Sequence, residues 1–226
     1  MEKKRFPRQM RRFRCPGNLL RALGLFGIAF LVGAGDALKL EKEVWKRRLG
    51  TMKALIVVDV QNDFISGALG TAEAQEMLPR LVEKVRHFDG AVFMTQDTHG
   101  QDYLQTQEGK RLPIPHCIKG TEGWEFPAAL EALRKEKNAA VYEKPCFGSM
   151  RLVEELVKLY TDGTLESVEL VGICTDICVV SNALMLKAAL PELPLYVDAA
   201  CCAGVTVQKH EAALDVMESC QIIVER

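Results

Sequence analysis

The sequence predicts an α/β protein of three layers, with a mainly parallel sheet of about six strands between two sets of helices. Three observations predict it. From Met52 onward, short apolar runs alternate with stretches of helical periodicity, the pattern of successive βαβ units. The first run, KALIVVDV, is apolar almost throughout, as in a strand covered on both faces. Apolar residues make up 48% of the 226-residue chain, enough to bury a sizeable core.

KALIVVDV opens the sheet. AEAQEMLPRLVEKVRHF shows helical spacing of Met77, Leu81, Val85 and Phe88, with Pro79 near its start. GAVFMTQD is a second strand. Residues 98–124 read as a polar loop punctuated by Gly and Pro. FPAALEALRKEK is a helix and AAVYEK a third strand. SMRLVEELVKLYTDG is a helix closed by Gly163, VELVGI a fourth strand, and DICVVSNALMLKAAL a helix stopped by Pro191. LPLYVDAA, TVQKHEAALDVMES and CQIIVE supply a strand, a helix and a last strand. There is no GxGxxG and no P-loop, so no dinucleotide or triphosphate site is indicated.

Residues 1–51 differ from this body, residues 52–226. A basic start (Lys3, Lys4, Arg5, Arg8, Arg11, Arg12, Arg14) leads into ALGLFGIAFLVGAG, which is shorter than the roughly 20 residues of a comfortable membrane span. Two expectations compete: a targeting or membrane-surface segment with the pattern of a signal peptide, or an over-extended start ahead of Met52, outside the native fold. Membrane contact is expected only in the first case. The net charge is −1 and the body has no basic stripe, which argues against nucleic acid as a partner. A small molecule or a second copy of the chain is expected instead. The eight cysteines sit in a long chain of ordinary apolar content, so they are expected to be reduced thiols, as in a cytoplasmic protein.

Ligands of parallel sheets bind beyond the C-terminal strand ends. Those ends deliver Asp59 in VVDVQNDF, Asp97 and His99 in TQDTH, Lys144 in YEKPCFGS, and Cys174 and Cys178 in LVGICTDICVV. Taken singly, Asp59 suits a turn cap, Lys144 a surface position and Cys178 a core position. Together they form a group whose charges must be paired. Cys178 falls just inside a predicted helix start with Asp176 as N-cap, a place that favours the thiolate and lowers the thiol pKa. Asp59 would accept the thiol proton, and Lys144 would hold both anions. The segment DTHGQDYLQTQEGKRLPIPHC also holds Asp97, His99, Glu108 and His116. It reads either as a carboxylate and imidazole site for a divalent transition metal or as a solvated polar loop.

IVVDVQNDF, QDTH with PHCIKGT, EKPCFGS and VGICTDICV together resemble the isochorismatase-like cysteine hydrolases, and within them the nicotinamidases, from Met52 to Arg226. The resemblance implies that hydrolase fold and a catalytic triad of Asp59, Lys144 and Cys178. It implies an oxyanion hole from the backbone N–H groups of Cys174 and Cys178, with a cis peptide bond between Ile173 and Cys174. It also implies a metal (zinc, iron or manganese) on Asp97, His99, Glu108 and His116, and substrate contacts from Phe64 and Phe147, although both Phe residues also suit a core. The expected activity is hydrolysis of nicotinamide, by a cytoplasmic homo-oligomer. Ile177, Pro113 and Ile114 depart from the family's residues and bear on the substrate. The alternatives are another small-amide, carbamoyl or ureido hydrolase of the superfamily, and a catalytically silent ligand-binding relative. A redox sensor using Cys201 and Cys202 is weaker, because adjacent cysteines rarely make relaxed bridges.

Overall fold

Apolar strands alternate with amphipathic helices along residues 50–226, the part of the chain that the computed structural model describes. Apart from its last two residues, the N-terminal extension lies outside that part. Strand β1 (Met52–Val58) leads to a short helix α1 (Asn62–Ile65), helix α2 (Ala72–His87), β2 (Ala91–Asp97), α3 (Gln107–Arg111), α4 (Ala128–Glu136) and β3 (Ala140–Lys144). Then follow α5 (Met150–Thr161), β4 (Leu165–Ile173), α6 (Val180–Ala189), β5 (Leu195–Ala203), α7 (Val207–Ser219) and β6 (Ile223–Glu225). The strands form one sheet in the order β3-β2-β1-β4-β5-β6, and every neighbouring pair is parallel. The chain runs outward from β1 to β3 and then returns to β4 beside β1. The β1/β4 gap is therefore the point where strand order reverses, the place where such sheets open a crevice for ligands.

The strand pleat sends alternate residues to opposite faces. Leu55 and Val57 of β1 pack with Met77, Leu81 and Val85 of α2 and with Leu130 and Leu133 of α4. Ala54, Ile56 and Val58 pack with Leu152 and Leu156 of α5, Leu186 of α6, and Leu214 and Met217 of α7. Because both faces are covered from Ala54 to Val58, β1 is apolar at each of those positions and shows no alternation there. Side-chain caps start the helices: Thr71 accepts from the Ala74 N–H, Ser149 from Leu152 and Thr206 from Lys209. Gly163, at φ +73°, closes α5 in the left-handed region.

Five local expectations are corrected. Pro79 lies well inside α2, and the helix continues through it because its apolar face is buried on both sides of the proline. Phe88 is the C-cap of α2 rather than part of its face. Residues 98–124 contain α3 and two 3₁₀ turns (Tyr103–Gln105 and Glu122–Trp124) rather than a plain loop. Residues 175–179, expected to begin the helix, form a wider π-type turn before α6. Asp176 does not cap it; its Oδ1 accepts from the Val205 N–H.

Candidate active site

β1 ends in an acid held from its neighbour. Asp59, fully buried, turns the chain at φ +49°, a conformation an aspartate tolerates better than a branched residue. Thr95 of β2 fixes it from both sides: its hydroxyl donates to Asp59 Oδ1 (2.7 Å) and accepts from the Asp59 N–H (3.2 Å). Asp59 Oδ2 pairs with Lys144 Nζ at 2.6 Å.

Lys144, at the end of β3, is 2% exposed. Its Nζ donates to the Cys146 carbonyl (2.9 Å) and lies 3.5 Å from Cys178 Sγ and 3.5 Å from Asp97 Oδ1. Burial works against its charge, but Asp59, Cys178 and Asp97 outweigh burial and hold the ammonium protonated well above the usual lysine range. Asp59 moves the other way from most paired acids. Burial raises its pKa, Lys144 opposes the rise, and the Asp97 charge adds to it. The Cys178 thiol is also raised, by burial first and then by the Asp59 charge, with Lys144 opposing. The lowered thiol pKa expected of a helix start is thus reversed, because a sulfur this deep loses more solvation than one helix end returns. Burial thus disfavours charge on both the Asp59 carboxyl and the Cys178 sulfur, and Lys144 opposes it in both.

The turn that carries Cys178 follows β4. Gly172, paired with Val58, has φ +126°, and a Cβ there would lie 2.2 Å from the Val58 carbonyl oxygen, so only glycine allows β4 to pass β1 this closely. The Ile173–Cys174 peptide is cis. The Cys174 carbonyl then accepts from the N–H groups of Ile177 and Val179 (3.0 and 3.1 Å), which winds the turn that carries Cys178. The Cys174 thiol is pushed up to about 12 by burial, so its side chain is inert at neutral pH.

Beside Asp59, Lys144 and Cys178, Asp97 Oδ2 lies 3.0 Å from His99 Nε2 and 3.6 Å from His116 Nε2. Glu108 Oε1, from α3, is 3.9 and 3.7 Å from the same two nitrogens. The ligand atoms of Asp97, His99 and His116 all lie within 4.8 Å of one another, and all three residues are buried. His116 Nδ1–H donates to the Ile114 carbonyl (2.9 Å), which leaves Nε2 as the bare nitrogen facing the cluster. Two imidazoles and two carboxylates around one point, with one tautomer already set, fit a divalent transition metal. Burial opposes ionisation of Asp97, but the facing His116 and His99 rings and the Lys144 charge hold it below the usual carboxylate range.

Phe64 is nearly buried, with its ring 5.6 Å from that of His116, so it walls the metal cluster. Phe147 is 42% exposed on the segment after Lys144. Four functional residues escape sequence reasoning: Thr95, Gln61, Tyr103 and Asn182. Gln61, fully buried, accepts from the Asp97 N–H (2.7 Å) and donates to the Asp97 and Trp124 carbonyls (2.9 Å each). Tyr103 stands against both imidazoles, with centroids at 4.7 and 5.0 Å, and its hydroxyl donates to Leu112 O. Gln61 sits inside VVDVQNDF, but periodicity says nothing about where its amide points. Cys201 and Cys202 are buried in β5, and burial pushes the Cys201 thiol up to about 12, which argues against the redox reading. All seven cysteines of the described residues are free.

An all-parallel sheet with reactive groups gathered at its switch point is the architecture of an open α/β enzyme. The Isochorismatase domain model matches residues 53–226, and the chain belongs to that family. Several of its relatives are nicotinamidases. It is 30% identical over 187 residues to the nicotinamidase/pyrazinamidase of Mycobacterium tuberculosis, covering 76% of this chain and 97% of that one. It is 33% identical over 171 residues to a nicotinamidase of Schizosaccharomyces pombe, covering 58% and 74%. The crystal structure of a Bacillus subtilis nicotinamidase/pyrazinamidase superposes with a TM-score of 0.68 at 28% identity, over 78% of this chain and all of that one. A Pyrococcus horikoshii pyrazinamidase in complex with zinc gives a TM-score of 0.63 at 26% identity, over 77% and 99%.

Proposed function

We propose that the protein is a hydrolase acting on an amide C–N bond, a nicotinamidase that converts nicotinamide to nicotinate and ammonia through a thioester on Cys178. One observation carries this reading: the Lys144 ammonium lies between Asp59 Oδ2 and Cys178 Sγ, so acid, cation and thiol share one buried point.

Asp59 takes the thiol proton, and the sulfur attacks the carbonyl carbon. The N–H groups of Cys174 and Cys178 receive the developing oxyanion, each donor contributing about 3 kcal/mol. Asp59 returns the proton to the departing nitrogen, the C–N bond breaks, and ammonia leaves a thioester. A water then gives its proton to Asp59 and attacks the thioester. The C–S bond breaks and Cys178 recovers its proton. Lys144 holds Asp59 in place and offsets the negative charge on sulfur. Asp97, His99, Glu108 and His116 would hold one zinc, iron or manganese ion, which when bound supplies a Lewis-acid anchor for the pyridine nitrogen. Phe64 and Phe147 are assigned to the ring of the substrate. The reading extends to a cytoplasmic enzyme that works as a homo-oligomer.

Half-exposed Ile114, at 40%, beside Pro113 near His116 favours a second reading, a different small amide or a carbamoyl or ureido compound. Ammonia release from purified, metal-analysed protein with nicotinamide and with such compounds separates the two. Cys178→Ala is expected to lower release by about a thousandfold or more while leaving the fold intact. Full activity in that variant refutes the assignment, and no release from any amide in the wild type points to a silent relative.

A further inference from the structure

Lys144 and Cys178 arrive from distant parts of the sheet. Lys144 ends β3, the edge strand, whereas Cys178 follows β4, with β2 and β1 between them. No ladder joins the two. The chain after Lys144 leaves the sheet edge through Pro145–Gly148 before Ser149 caps α5. Yet Nζ must stay 3.5 Å from Sγ, and it is anchored to the Cys146 carbonyl of that same segment.

Asn182 spans this gap. It lies on α6, four residues after Cys178, and is fully buried. Its Oδ1 accepts from the Ser149 N–H (3.0 Å), and its Nδ2 donates to the Phe147 carbonyl (3.2 Å) and to the carbonyl of Cys178 itself (2.8 Å). One acceptor and two donors at this reach are what a short carboxamide offers; an aspartate lacks the donors and a leucine has none of the three. A buried amide satisfied on both ends rigidifies what it joins. The segment and α6 also touch closely at Gly148, where a Cβ would lie 2.3 Å from Met185 Sδ.

We infer that Asn182 is a positioning residue of the proposed triad: its carboxamide ties the edge-strand segment 146–149 to the nucleophile turn and so fixes the distance between the Lys144 ammonium and the Cys178 sulfur. The inference rests on the roles proposed for those two residues.

Asn182→Leu and Asn182→Thr test it in the full-length, metal-loaded protein. The threonine keeps a donor for the Cys178 carbonyl one turn back but loses the ties to Phe147 and Ser149. Both variants should lower kcat for nicotinamide about 10- to 100-fold, the penalty of a misplacement near 1 Å, with a much smaller change in KM. Alkylation of Cys178 by iodoacetamide without substrate, followed on its own peptide by mass spectrometry, should slow in both, because the ammonium no longer supports the thiolate. A purely structural amide predicts a lower Tm, wild-type kcat and unchanged or faster alkylation, and that result in either folded variant overturns the inference. Should Asn182→Leu fail to fold, Asn182→Thr alone decides. Cys178→Ala is assayed alongside. If it keeps activity, the function reading fails; if it is dead while the Asn182 variants keep wild-type kcat, only this inference fails.

Discussion

Asp59 and Cys178 are each made harder to ionise by burial, and the Lys144 ammonium opposes that difficulty in both. In the proposed mechanism Asp59 is the base and must be ionised to act. Its pKa is raised above 3.8, so the acid limb of kcat/KM is expected above the ordinary carboxylate range, with activity lost as pH falls through it. The Thr95 hydroxyl favours the ionised form. Thr95→Val keeps the shape, removes that hydrogen bond, and is expected to move the acid limb further up in pH. Hydrogen bonds to charged groups are worth about 1.5–3 kcal/mol, so kcat/KM at neutral pH should fall about tenfold or more. A pH–rate profile of the two proteins checks both effects. The triad residues stood at readable strand ends, but Thr95 read only as an ordinary strand residue. Its role depends on the β1–β2 register, which pairs Val58 with Thr95 and which one strand alone cannot disclose.

At the scale of elements, β1 and β2 brace each other crosswise. β2 supplies Thr95 to hold the acid of β1, and the chain after β1 supplies Gln61 to hold the Asp97 peptide of β2. Triad and metal cluster are thus set two residues apart along the same pair of strands. Gln61→Met has similar volume but leaves the Asp97 N–H and carbonyl without their partner. It is expected to weaken metal affinity by about 10- to 100-fold, as measured by competition with a chelator. The β1–β4 crossing is equally specific. Gly172→Ala places a Cβ against the Val58 carbonyl at a positive φ, and a loss of about 2–3 kcal/mol in chemical denaturation is expected. The composition of residues 98–124 reads as loop, because their helical turns are too short for periodicity and are held by tertiary contacts. Asp63 of α1 accepting from the Cys117 N–H (2.7 Å) is one such contact.

Over the whole described molecule, the reversal of strand order between β1 and β4 opens the crevice, and the segments after four neighbouring strands fill it. The candidate metal group adjoins Lys144 directly, since Asp97 faces the imidazoles with one oxygen and Lys144 with the other. Removing the metal with a chelator is therefore expected to abolish nicotinamide turnover, and adding back a divalent transition ion to restore it, as read by ammonia release beside metal analysis. Among the described residues no helix is long and apolar enough to cross a membrane. We propose residues 52–226 as the catalytic unit. A chain beginning at Met52 should keep the Tm and turnover of the full protein, and mass spectrometry of the native N-terminus tests whether residues 1–51 accompany it.

The sequence by itself determined the strand and helix order, the double-sided burial of β1, and the set of reactive residues that end the strands, because periodicity and strand-end position are local properties of a chain. Only the tertiary structure decided the proton balance of Asp59 and Cys178 and the partners of Thr95, Gln61, Tyr103 and Asn182. Desolvation and hydrogen bonding depend on which distant groups the fold brings within about 3 Å, and no spacing along the chain encodes that.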